Sequence, residues 1–158
     1  MTLLSRKVDY ALLILAFLYH RSEGGCAREI ADRFGVSRAF VANILKVLCG
    51  KGYVLSHRGV KGGYALRRPA EEIHLDELMQ ALGETFRLAE CNKVDAEGAC
   101  SLESICPVRD AIRRVHQRIS DVLHEVTLAD LFRPEGMAEA AANERGCVSA
   151  PRTTLELA

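Results

Sequence analysis

The sequence predicts a mainly α-helical chain: a winged helix-turn-helix with a β-hairpin wing, followed by a long dimerisation helix. Three patterns carry that reading. Two short amphipathic segments flank the tight turn Gly35-Val36-Ser37, as the paired helices of a helix-turn-helix do. Two short alternating segments then flank a glycine-rich tip at residues 59–63, the pattern of a β-hairpin. Further on, Val108, Ile112, Val115, Ile119, Val122 and Val126 recur at spacings of 4-3-4-3-4, a heptad stripe.

Taken in order, Val8, Ala11, Leu12, Leu15, Leu18 and Tyr19 fall at helical spacing and predict a first helix over residues 5–20. The apolar run at 11–19 follows Arg6-Lys7, which raises the question of a signal peptide. It is too short to span a bilayer, Asp9 interrupts its start, and no small-residue cleavage site follows. The expectation is a buried helix in a cytoplasmic protein without a membrane partner. Residues 22–25 supply turn chemistry. Ala27–Phe34 reads as a short helix with Ile30 and Phe34 on one face. Ser37 suits the N-cap of the next helix, Arg38–Gly50, which should bury Val41, Ile44 or Leu45, and Leu48. Gly52 stops it, residues 53–58 and 64–67 alternate as strands, and Ile73, Leu75, Leu78, Met79 and Leu82 mark a further short helix.

Pro107 suits a first helical turn ahead of the heptad stripe. The opposite face of that helix carries Arg109, Arg113, Arg114, Gln117 and Arg118. So narrow an apolar stripe points to helix-to-helix pairing, most simply in a homodimer; packing on the chain's own first helix is the other reading. Thr127-Leu128-Ala129-Asp130 resembles a capped short helix. The expected organisation is a winged helix-turn-helix over 1–83, whose first helix also packs in the dimer. A cysteine-rich segment follows over 84–106, then the dimerisation helix and a short terminal helix over 107–133. Residues 134–158 are Ala-rich and polar without a core pattern, the composition of a flexible tail.

The 158 residues suffice for one core-bearing domain, and the absence of Trp makes that core aliphatic. A formal net charge of zero hides a split. Residues 1–70 hold twelve Lys/Arg against four Asp/Glu, and residues 71–158 hold nine against seventeen. The surplus of positive charge in the first half points to a polyanionic partner.

Three of the six cysteines cluster: Cys91, Cys100 and Cys106, in a polar glycine-bearing stretch. Three thiolates on a loop can hold a thiophilic metal or an iron–sulfur cluster. A thiol–disulfide switch is the metal-free reading, and zinc would ordinarily want four protein ligands. Cys26 and Cys49 read as small core residues, and Cys147 falls in the tail. In a reducing compartment none of these suggests structural disulfides.

On the helix from Arg38, the residues expected to project outward are Arg38, Ala39, Phe40, Asn43 and Lys46. Arg and Asn side chains match guanine and adenine edges, and Ser37 at the helix start matches a phosphate. Arg28, and His57, Arg58, Gly59 and Lys61 around the wing tip, complete a candidate duplex-DNA surface. A protein- or RNA-binding winged helix is the alternative of another class. No nucleophile motif or phosphate loop is present, so the chain is expected not to be an enzyme and to take no small-molecule substrate.

Together, Asp9-Tyr10-Ala11-Leu12, Arg28-Glu29-Ile30-Ala31, Gly35-Val36-Ser37, Gly52-Tyr53-Val54, His57-Arg58-Gly59 with Gly62-Gly63-Tyr64, the three cysteines and Thr127-Leu128-Ala129-Asp130-Leu131 resemble the Rrf-type family of bacterial winged-helix transcription regulators. That family includes IscR-, NsrR- and RirA-like iron–sulfur regulators. The resemblance covers residues 3–132. It implies a homodimer bound to a palindromic operator, commonly as a repressor, and a [2Fe–2S] or [4Fe–4S] cluster on Cys91, Cys100 and Cys106. A fourth, non-cysteine ligand is usual. IscR-like members place a His three residues after the last cysteine, where this chain has Arg109. NsrR-like members use the Asp of the Asp-Tyr-Ala motif from the partner subunit, here Asp9; a carboxylate favoured by the helix dipole is the plainer reading of that residue.

Overall fold

The computed structural model describes residues 4–57, 62–89, 100–102 and 105–133. Helices α1 (Arg6–Tyr19), α2 (Ala27–Phe34) and α3 (Arg38–Gly50) come first. Strands β1 (Val54–His57) and β2 (Gly63–Leu66) follow, then a 3₁₀ turn (Ala70–Glu72) and helices α4 (Leu75–Ala81), α5 (Arg109–Glu125) and α6 (Leu128–Phe132). This is the mainly helical winged architecture the sequence predicts.

The boundaries have local causes. Ser5 caps α1, its hydroxyl accepting from the Val8 amide at 3.4 Å. Gly35, at φ 65°, ends α2 in the left-handed conformation that a side chain would penalise. Two residues on, the Ser37 hydroxyl accepts from the Phe40 amide at 3.2 Å and starts α3. The turn between the two helices is thereby held at both ends.

The strands pair antiparallel, Val54 with Leu66 through His57 with Gly63. β2 is shifted by one residue from the expected 64–67, and Tyr53 lies just outside β1, where its carbonyl accepts from the Arg67 amide at 2.9 Å. A further pairing joins Gly25, ahead of α2, to Tyr64, with reciprocal bonds of 2.9 and 2.8 Å. Gly24, at φ 73°, permits that approach, since a Cβ there would overlap the Tyr64 carbonyl. The hairpin is therefore pinned to the start of the helix-turn-helix.

The core is aliphatic, centred on Val8, Ile14, Leu15, Ile30, Leu45, Leu48, Ile73, Leu78 and Leu128. Both Ile44 and Leu45 are buried, together with Val41 and Leu48. Among the described residues no polar or charged residue is buried. Ile73 and Leu82 belong to the core but flank α4 rather than lie in it, because the 3₁₀ turn takes up the preceding chain. Pro107 stands outside α5, whose N-cap is Val108. A second bridge, His74 to Thr127, carries bonds from the Leu75 amide to the Val126 carbonyl and from the Leu128 amide to the Ile73 carbonyl, each 2.9 Å. It locks the end of α5 onto the start of α4.

The heptad stripe of α5 lies on one side of the helix but is unevenly covered within the subunit. Ile119 and Val126 pack on the chain's own core with the buried Leu123, and Ile112 is half-buried. Val108, Val115 and Val122 stay 56, 46 and 56% exposed. The element supporting α5 is α4, not α1.

Candidate nucleic-acid interface and cysteine segment

Burial of one side of α3 against α1 and α2 decides what its other side offers. Arg38, Ala39, Phe40, Asn43 and Lys46 are all exposed, as are Ser37 and, on α2, Arg28. The first turn of α3 contains no acidic residue. Its outward amides thus present partial positive charge without an internal carboxylate to offset it.

Asp32 was not singled out by the sequence reading, yet it sits between Arg38 and Arg28, 3.7 Å from each. All three side chains are more than half exposed. Such surface pairs contribute little stability, so exchanging Asp32 for a phosphate costs little. Its spacing of four from Arg28 was the available signal. Phe40 is braced from behind by Tyr10 of α1, edge-on at 4.9 Å.

In the wing, His57 is exposed at the end of β1. Arg58, Gly59 and Lys61 lie outside the described residues. The base of the hairpin is fastened by Glu77, which accepts from the Tyr53 hydroxyl at 3.1 Å and from Arg68 at 2.6 Å. Burial, then the Glu77 contact, push the Tyr53 phenol up to about 12.

Cys26 departs from its expected role as a core residue. It is the N-cap of α2, and its amide donates to the Glu29 carboxylate at 2.8 Å. That amide bond is the main reason the Glu29 carboxyl is held below its ordinary range. Cys49 is partly buried against the core, and burial pushes its thiol up.

Of the clustered cysteines, Cys100 and Cys106 are described; both are free thiols and both partly buried. Cys91 lies outside the described residues, as do Cys147 and residues 134–158. The described donors alone do not assemble three metal-ligating groups at one point. Chemically the set is suitable, because thiolates are the ordinary ligands of iron–sulfur clusters. Cys106 lies three residues before the start of α5, its carbonyl accepting from the Arg109 amide at 3.4 Å. Leu102 and Ile105, beside the two thiols, are 57 and 76% exposed.

Asp9 is exposed in the first turn of α1, and its carboxylate makes no ion pair with the described residues. Lys7, two positions earlier, reaches the other way and donates to the Leu82 carbonyl at 2.6 Å, where α4 ends and the chain heads for the cysteines. Two helical positions are about 200° apart around the axis. Asp9 therefore lies on a different face of α1 from Lys7. Arg109 occupies the position three after Cys106 and is partly buried; a permanently protonated guanidinium is no ligand.

His116 is partly buried on α5. Its ring stacks on Phe86 at 5.1 Å, which ties α5 to the segment between α4 and the cysteines. His124 is exposed and pairs with Asp76 at 3.0 Å. Among the described residues no helix is long and apolar enough to cross a membrane.

A family model described as Rrf2, iron-dependent transcriptional regulator, matches residues 4–134. The HTH-type transcriptional regulator NsrR of Oceanobacillus iheyensis is 31% identical over 134 residues, covering 84% of this chain and 90% of that one. Among solved structures, CymR (YrzC), the global cysteine regulator of B. subtilis, is similar with a TM-score of 0.66 and 26% identity, covering 84% of this chain and 97% of that one. T. potens IscR is similar with a TM-score of 0.57 and 26% identity, covering 93% of each.

Proposed function

Since the chain belongs to the Rrf2 family of transcriptional regulators, we propose that it is a cytoplasmic homodimeric repressor whose affinity for a palindromic operator is set by an iron–sulfur cluster. It is a DNA-binding regulator and not an enzyme. In this reading α3 enters the major groove. Arg38 and Asn43 face base edges, while Ser37, Lys46 and Arg28 take phosphates. His57, Arg58, Gly59 and Lys61 bring the wing to the adjacent backbone. The exposed Val108, Val115 and Val122 stripe of α5 pairs with its copy across the two-fold axis.

Cys91, Cys100 and Cys106 would hold the cluster, of [2Fe–2S] or [4Fe–4S] type, and the partner subunit's Asp9 would complete it. When bound, such a cluster supplies a site open to oxidants and nitric oxide. The observation that carries this reading is the pair of free, partly buried thiols at Cys100 and Cys106, the second bonded through its carbonyl to the first residue of α5. The exposed Asp9, without an ion pair among the described residues, supports donation across the dimer. Cluster state changes operator affinity only if the cluster binds the two conformations of the dimer unequally.

Anaerobic purification followed by visible absorption and iron and sulfide assay tests the proposal. A coloured protein is expected, and Ser in place of Cys91, Cys100 or Cys106 should bleach it. Ser at Cys26, Cys49 or Cys147 should not. A colourless wild type without iron, still binding its operator, would leave the second reading: a clusterless regulator switched by its thiols. The similarity to a cysteine regulator favours keeping that reading in the test. Oxidant-dependent affinity lost with Cys100→Ser or Cys106→Ser would then support it.

A further inference from the structure

A groove of about 430 Å³ lies between α1 and the end of α2, lined by Leu13, Ala16, Phe17 and His20 with Arg21, Arg33 and Phe34. Its floor is apolar: Phe17 and Phe34 meet edge-on at 6.2 Å, and Leu13 is 40% exposed. Its rim is basic. Arg21 lies over the Phe17 ring at 4.6 Å and pairs with Glu29 at 3.6 Å, whereas Arg33 makes no ion pair among the described residues. An apolar floor under cations suits an acidic segment with small and apolar side chains between its charges.

This chain carries such a segment. Residues 134–144 contain Glu135, Glu139 and Glu144, no Lys or Arg, and Met137 among four alanines. The chain leaves α6 at Arg133, whose guanidinium donates to the Tyr19 hydroxyl at 2.9 Å and pairs with Glu71. The Tyr19 ring is 5.2 Å from that of His20, which lines the groove. From His20 to Leu13 is about 10 Å along a helix, well within the roughly 35 Å that eleven residues can span.

We propose that residues 134–144 occupy this groove of their own chain, Met137 and the alanines on the Phe17–Phe34 floor and the glutamates toward Arg33 and Arg21. The contact would fasten the C-terminal segment to the first helix of the helix-turn-helix. It requires neither a cluster nor DNA.

The test is photo-crosslinking of the full chain with p-benzoylphenylalanine in place of Leu13, in dimers formed from isotopically light and heavy chains. The expected product joins position 13 to the Met137 peptide of the same chain, and Arg33→Glu should lower its yield severalfold. A circular dichroism spectrum like that of wild type establishes that the labelled chain is folded; if it is not, the same group at the exposed His20 replaces it. A link to residues 108–126 of the other copy would overturn the proposal and make the groove part of the dimer contact. A light–heavy link to Met137, or no link in a folded chain, would overturn it equally.

Discussion

The ring of Tyr10 on α1 meets the ring of Phe40 on α3 edge-on, with centroids 4.9 Å apart and planes at 83°. The contact joins the first turns of α1, next to Asp9, to the opening turn of the helix proposed to read DNA. Phe40 is held twice there, by its ring and by its amide bond to Ser37 at 3.2 Å. The starts of α1 and α3 are thereby in direct contact.

A double-mutant cycle of Tyr10→Leu and Phe40→Leu measures that link. Edge-to-face pairs contribute about 0.5–1.5 kcal/mol beyond their buried area. A coupling of that size in urea unfolding is expected. Strictly additive single effects would mean that the rings touch without stabilising each other.

The cap of α6 predicts an acid-sensitive contribution to stability. The Asp130 carboxylate accepts from the Thr127 hydroxyl at 2.6 Å and from its amide at 2.9 Å. These bonds, the hydroxyl first, hold the Asp130 carboxyl below its ordinary range. A carboxyl lowered in the fold contributes stability above its unfolded pKa, and that stability is lost as pH falls through the folded value. Thr127→Ala should cost about 1 kcal/mol at neutral pH. Asp130→Asn should flatten the acid limb of the stability profile; an unchanged limb would show that the cap does not titrate with unfolding.

Local chemistry made much of this architecture legible. Gly35 and Ser37 fix the bounds of α2 and α3 from within the turn, so helical spacing and capping sufficed there. The pairing of Gly25 with Tyr64 was not legible, because it joins residues far apart in the chain through backbone atoms alone. The split of the α5 stripe had a different cause. The face turned inward includes His116 and Leu123 beside Ile119. A polar histidine breaks the apolar pattern although its ring stacks on Phe86. The role of Cys26 was readable, since Glu29 three positions on is a capping signal. Thiol chemistry drew attention away from it.

The wing base predicts a late-titrating tyrosine. Burial, then Glu77, raise the Tyr53 phenol to about 12, above the ordinary value of about 10. The protonated phenol is the form that the fold favours. Its stabilising contribution is therefore complete below about pH 10 and is lost as pH rises through about 12. An ultraviolet titration should show a tyrosine step near pH 12, and Tyr53→Phe should remove it. Glu77→Gln should move the step to lower pH, because the carboxylate both accepts from the phenol and repels its charged form. A titration without a step near pH 12 would contradict the arrangement.

The two halves of the α5 stripe predict opposite consequences for one kind of substitution. Val115 is 46% exposed and is not among the residues packed on the core, whereas Ile119, one helical turn on, packs against it. An aspartate at Val115 meets water in an isolated subunit but an apolar surface in the proposed dimer. There a buried, unpaired charge costs several kcal/mol. Val115→Asp should therefore yield a folded monomer in sedimentation, with a wild-type circular dichroism spectrum and greatly weakened operator binding. Ile119→Asp places the same charge against Leu123 and α4 and should lower the unfolding midpoint of each subunit, whatever its assembly. A Val115→Asp protein that sediments as a tight dimer would show that the exposed valines do not form the contact between copies. Ile119→Asp with wild-type stability would show that α5 is not held by the core that its neighbouring residues touch.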